Sequence, residues 1–268
     1  MSPFVLLGVL GIIGPSPGEP VPVAGDLREA EAAYRAGLEE REDGARARPH
    51  FLRAAVAFER AWDEGHRTPA VARNAAQSRL LAGDLGRCIA AYRRGLALFP
   101  HNRDLRFGLA HARSRVEYPL TGDLVDAARP RDPPTVLDRL RVPVLGLAGI
   151  ALAAWALGWW LLARAWMTVR GGMALFGGVV VVAALALGAW LVWEDRRLRS
   201  HWREPTAVLS TSADLRTGNS DEYPKRLEGR LPAGVEARIL GRRGGWLHIE
   251  LANGTAGWVP GGRVVIVE

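Results

Sequence analysis

From Leu27 to about Val116 the apolar residues return at helical spacing, in alanine-rich stretches poor in proline: Leu52, Val56, Phe58 and Trp62, then Ile89, Tyr92 and Leu96. This period predicts helices, and the polar turns between them predict that the helices come in pairs. Between Glu117 and Arg141 the period is lost and Pro119, Pro130, Pro133 and Pro134 appear, so 117–141 reads as a linker. Within it "TVLDRLRV" has the pattern of a short amphipathic helix lying at a membrane surface. Val142–Ala163 and Gly171–Trp193 are uncharged and apolar, each longer than the ~20 residues that cross a bilayer. They predict two transmembrane helices joined by a short loop, 164–170, and followed by a juxtamembrane linker, 194–204. From Pro205 to Glu268 the period falls to two, in "EARIL", "WLHIEL", "AGWVP" and "RVVIVE", which predicts a small all-β unit. Asn253-Gly254 marks a hairpin turn inside it.

The first residues carry a shorter apolar run, Phe4 to Ile13, too short to span a bilayer. With "GPSPG" after it and a small-x-small pair at Ser16 and Gly18, or a later site at Ala24, it is expected to be a signal peptide over 1–24. No Lys or Arg precedes the run, and an uncleaved apolar N-terminus is the alternative.

Sliding the helical part, 25–116, by 34 residues sets Ala54, Phe58, Ala61 and Trp62 on Cys88, Tyr92, Gly95 and Leu96. Small and large residues recur in step. The stretch "NAAQSRLLAGDLGRCIAAYRRGLALFPHN" resembles the tetratricopeptide repeat, whose period is about 34 residues. A further half unit follows, where Gly108, Leu109 and Ala110 fall on Asn74, Ala75 and Ala76. The first unit departs from the pattern, because "EEREDGARARPHF" puts a charged stretch between its helices. Such repeats stack so that the first helix of each pair lines a concave groove. By the repeat's register Arg73, Gln77, Phe107 and His111 are expected to face that groove and bind a partner, whereas Tyr92, Ala75 and Leu109 pack inside.

Charge and reactive residues add little chemistry. The formal net charge of +7 comes almost wholly from arginine, since Lys225 is the only lysine, and the arginines are spread along the chain. A nucleic-acid partner would need a clustered basic face, so none is expected. The six histidines show no metal-ligand spacing and the single Cys88 sits where the repeat packs a small residue, so neither a metal site nor a nucleophile is predicted. "RGGMALFGG" lacks the Lys-Ser/Thr step of a phosphate loop. No catalytic residue and no cofactor is expected. An enzyme with an unrecognised site is the competing class, and alanine replacement of Cys88 and the histidines would expose it.

The ordered set "DLRTG", "LPAGVEARIL", "GGW" and "GWV" resembles a bacterial SH3-type (SH3b) domain over 205–268. The expected fold class is therefore multidomain: an all-α tetratricopeptide-repeat solenoid, two transmembrane helices and a small all-β SH3-like barrel. In that order the modules resemble the BatE family of the Bacteroides aerotolerance operon. The resemblance implies a non-catalytic scaffold in the bacterial inner membrane, associating with von Willebrand A-domain proteins of a MoxR-linked system in stress or oxygen tolerance. An alternative is an envelope sensor whose SH3-like part binds peptidoglycan, with Tyr223, Trp246 and Trp258 as the exposed aromatic candidates. The topology indicators conflict. Arg164 and Arg170 stand in the loop against Arg129, Arg131, Arg139, Arg141, Arg196, Arg197, Arg199 and Arg203 on the flanks, which favours a loop outside. The signal peptide and the resemblance favour a loop inside and both folded parts outside the membrane, and that is the orientation expected.

Overall fold

A computed structural model describes residues 25–117, 129–130, 132, 144–168 and 171–267. The expected signal peptide, most of the linker with its "TVLDRLRV" segment, and the last two residues of the 164–170 loop lie outside the described residues. Five helices come first: α1 Gly25–Glu39, α2 Gly44–Asp63, α3 Pro69–Leu81, α4 Leu85–Leu98 and α5 Arg103–Ser114. Their starts are written in the sequence. Asp43, Thr68, Asp84 and Asn102 each turn a side-chain oxygen onto a free backbone N–H of the first turn, and Pro69 supplies the φ that a first turn requires. Neighbouring helices pack through alanines, with Ala30, Ala54, Ala76 and Ala112 fully buried around Phe58, Trp62, Tyr92 and Leu109. The charged stretch expected between the first two helices is mostly helical. The turn covers only 40–43, because Asp43 caps α2 through the N–H groups of Ala45 and Arg46, at 3.1 and 3.2 Å.

Two further helices are long and apolar enough to cross a membrane: α6 Val144–Thr168 and α7 Gly171–Arg203. Ile150, Leu152, Phe176 and Val179 point outward from the pair and are exposed. Both helices outrun their expected ends. Arg164 to Thr168, read as loop, continue α6. Residues 194–203, read as linker, continue α7, which at ~1.5 Å per residue is roughly 50 Å long. No Pro or Gly interrupts this extension. Arg199 Nε donates to Asp195 Oδ2 at 2.7 Å one turn away, and Leu191, Glu194, Leu198 and Trp202 form a buried stripe at helical spacing. Pro205 ends it. Gly149 and Gly178 face open space. The close approach is instead between Gly158 and Gly177: a Cβ on the first would sit 2.6 Å from Val181, and one on the second 3.1 Å from the Gly158 carbonyl oxygen.

The last unit is a five-stranded antiparallel sheet: β1 Thr206–Leu209, β2 Glu236–Arg243, β3 Trp246–Glu250, β4 Ala256–Pro260 and β5 Val264–Val267, in the order β4-β3-β2-β1-β5. The expected hairpin joins β3 to β4, with Leu251 N–H donating to the Thr255 carbonyl and Gly254 at φ +86°. The sheet is not a separate module. Ile89, Val116, Trp202, Leu209, Val235 and Ile249 belong to one hydrophobic core that runs from the helical hairpins into the sheet. Gly86 of α4 abuts β1 so closely that a Cβ there would lie 2.3 Å from the Leu209 carbonyl oxygen.

Candidate binding surfaces

The first helix of each hairpin, α1, α3 and α5, presents one side to a shared groove of about 420 Å³. All four residues expected there line it: Arg73 and Gln77 from α3, Phe107 and His111 from α5. Tyr34 of α1 and Leu80 and Leu81 of α3 complete its walls. Asn102 sets the start of α5 by accepting from the Leu105 N–H at 3.0 Å, so that Asp104 reaches Arg73 at 3.3 Å across the groove. Tyr92 forms the base. Its ring fits under α5 only because residue 108 is glycine, where a Cβ would fall 2.4 Å from the ring. Burial pushes the Tyr92 phenol up to about 12, so the base of the groove is a neutral hydroxyl at physiological pH. Phe107, by contrast, is 78% exposed, a large apolar side chain with no cover among the described residues. The expected interior residues Tyr92, Ala75 and Leu109 are buried.

A second surface lies on the sheet. Along β3 and β4 the side chains alternate, with Leu247, Ile249 and Val259 in the core and Trp246, His248 and Trp258 partly buried on the other side. His248 stacks on Trp258 with ring centroids 4.8 Å apart. Tyr223 is joined to this patch through Arg216, which exchanges backbone hydrogen bonds with Trp258 and donates from Nη1 to the Tyr223 carbonyl at 2.7 Å. The Tyr223 ring covers Gly218 and is half exposed. Trp246 and Trp258 therefore share one side of the β3–β4 hairpin, and Tyr223 is linked to it through the backbone of Arg216.

A third feature was not foreseen in the sequence. Arg93 of α4 and Arg113 of α5 converge on Glu236 of β2: Arg93 Nη1 donates at 2.7 Å, Arg113 Nε at 2.6 Å and Nη2 at 2.9 Å. Arg93 Nη2 also donates to Thr206 Oγ1 at 2.7 Å, and its guanidinium lies 5.4 Å from the centre of the Trp202 ring. Arg113 donates to Asp132 as well, and Asp132 faces His201 of α7. Burial alone would lower the affinity of Arg113 for its proton, but Glu236 and Asp132 reverse this and raise it. Burial likewise pushes the Asp132 carboxyl up, yet His201 and Arg113 outweigh it and hold the group at about 2. This junction ties the helical hairpins, the linker, the long helix and the sheet together. Its arginines look no different from the others in the sequence. The one available indication was Glu236, the sole carboxylate of a strand whose other charges are all arginines.

Among the described residues no three His, Cys, Asp or Glu side chains gather so as to hold a metal ion. Cys88 is fully buried, and burial raises its thiol to about 12. Comparison of the chain with protein-family models, with curated proteins and with solved structures finds no match.

Proposed function

We propose that this chain is a non-catalytic, membrane-anchored scaffold that holds a protein partner in the groove of tetratricopeptide-like hairpins. The observation that carries this reading is the exposed Phe107 beside Arg73, Gln77 and His111, an aromatic anchor within a polar rim. The BatE-like order of modules supports von Willebrand A-domain proteins of a MoxR-linked stress system as the partners. The membrane is the bacterial inner membrane, and the signal-like N-terminus supports placing the folded parts on its outer side. A photo-crosslinking amino acid at position 107 tests the partner. Adducts with an A-domain membrane protein are expected in cells, and adducts confined to unrelated abundant proteins would overturn the assignment. A reporter active only after export, inserted at Met167, tests the orientation; activity there would reverse it.

A second reading has its own observation. The partly buried Trp246, Trp258 and His248 on one side of the β3–β4 hairpin offer flat rings of the kind that stack on sugars, which favours an SH3-like surface gripping peptidoglycan. Because the sheet shares its core with the helices, the full chain in detergent is the proper reagent. Sedimentation with purified cell wall that is lost on joint Trp246→Ala and Trp258→Ala replacement supports this reading, and no sedimentation removes it.

A further inference from the structure

We propose that a basic belt of Arg103, Arg196 and Arg197 docks the helical hairpins onto anionic phospholipid headgroups; this rests on the reading of α6 and α7 as membrane spans. Trp193 ends the apolar stretch of α7 and is 56% exposed, with the Arg197 guanidinium 5.6 Å from its ring centre. Such an aromatic and cation pair belongs at the boundary between hydrocarbon and headgroups. Arg196 is the next exposed residue of α7 on that boundary.

The turn between α4 and α5 is brought to the same level, because His101 Nε2 lies 3.1 Å from Asp195 Oδ1. Arg103 follows two residues later, exposed, at the start of α5. The acids of this belt are already engaged. Asp195 accepts from Arg199 at 2.7 Å and meets His101, while Glu194 is buried and 3.9 Å from Arg197. Arg103 and Arg196 have no acidic partner among the described residues. Surplus cations at headgroup depth, beside two apolar helices, match lipid phosphates in charge and position better than any soluble anion. The inference also gives a role to arginines that stand on the side where the signal-like segment would place the folded parts, against the usual bias.

The test uses the full chain purified from mixed lipid and read by native mass spectrometry. Phosphatidylglycerol is expected to be retained over phosphatidylcholine, and retention to fall by about fivefold per arginine removed in R103Q, R196Q and R197Q at low salt. The double replacement R230Q and R263Q, in the loops of the β unit, is expected to leave retention unchanged, and free glycerol phosphate is expected not to displace the lipid. Equal retention of both lipids, an unaffected triple variant, or displacement by glycerol phosphate would each overturn the proposal. Release of the chain from membranes by alkaline wash would overturn the span reading itself, and the proposal with it; a retained chain without lipid preference overturns the proposal alone.

Discussion

Arg93 and Glu236, separated by 143 positions in the chain, meet through a hydrogen bond of 2.7 Å with both side chains buried. The same carboxylate also receives Arg113, so one residue of the sheet fixes two successive helices of the hairpin stack. A buried pair of this kind contributes little relative to a well-packed apolar substitute, but removal of one partner leaves an uncompensated charge. Glu236→Ala is therefore expected to cost about 3 to 5 kcal/mol. Chemical denaturation followed by circular dichroism measures it, and a loss below ~1 kcal/mol would mean that water replaces the carboxylate.

The neighbouring Asp132 gives this junction an acid dependence. Its folded value of about 2 lies below the ordinary 3.8, so its contribution is fully present above pH 3.8 and is lost as pH falls toward 2. The shift alone corresponds to roughly 2 kcal/mol, and solvent at a side chain that is 44% exposed reduces it to about 1. In Asp132→Asn this part of the stability loss between pH 4 and 2 is expected to disappear, as measured by unfolding at a series of pH values.

Gly86→Ala tests whether the hairpins and the sheet form one body. A Cβ would lie 2.3 Å from the Leu209 carbonyl oxygen and 2.6 Å from Ser210 Cα, both backbone atoms. A cost of about 1 to 3 kcal/mol and faster proteolysis of the sheet are expected. Gly44→Ala, with open space at its Cβ, is the control and is expected to be silent.

Phe107→Ala is expected to leave stability within about 0.5 kcal/mol, since so exposed a side chain packs on little. Partner capture in a pull-down is expected to fall by about tenfold or more where Phe107 is an anchor. Unchanged capture would move the interface away from the groove.

Cys88 is expected to resist maleimide at pH 8 while the chain is folded and to react on denaturation, because its thiol is buried and titrates at about 12. Rapid labelling of the folded chain, followed by mass spectrometry, would show that α4 is not closed over it.

Much of the architecture was legible because it depends on local periodicity. The groove residues were carried by the 34-residue register, since one period fixes which side of a helix a residue occupies, whereas the caps Asp43, Thr68, Asp84 and Asn102 were recognised only in the folded chain. The element ends were less legible. The end of α7 was placed at Trp193 because hydropathy drops there, although the helix runs on to Arg203 through Leu198 and Trp202, which are buried against parts of the chain remote in sequence.

What the sequence determined by itself is the kind and order of the elements: hairpins of small and large residues, two apolar spans and a strand-rich end. Each follows from backbone hydrogen bonding and from the period with which apolar side chains return. Only the tertiary structure decided that hairpins, long helix and sheet share one core, and that Glu236 rather than any other carboxylate receives Arg93 and Arg113. Pairing among 35 basic and 28 acidic residues has no local indicator, because it is settled by which surfaces exclude water together once the chain is folded.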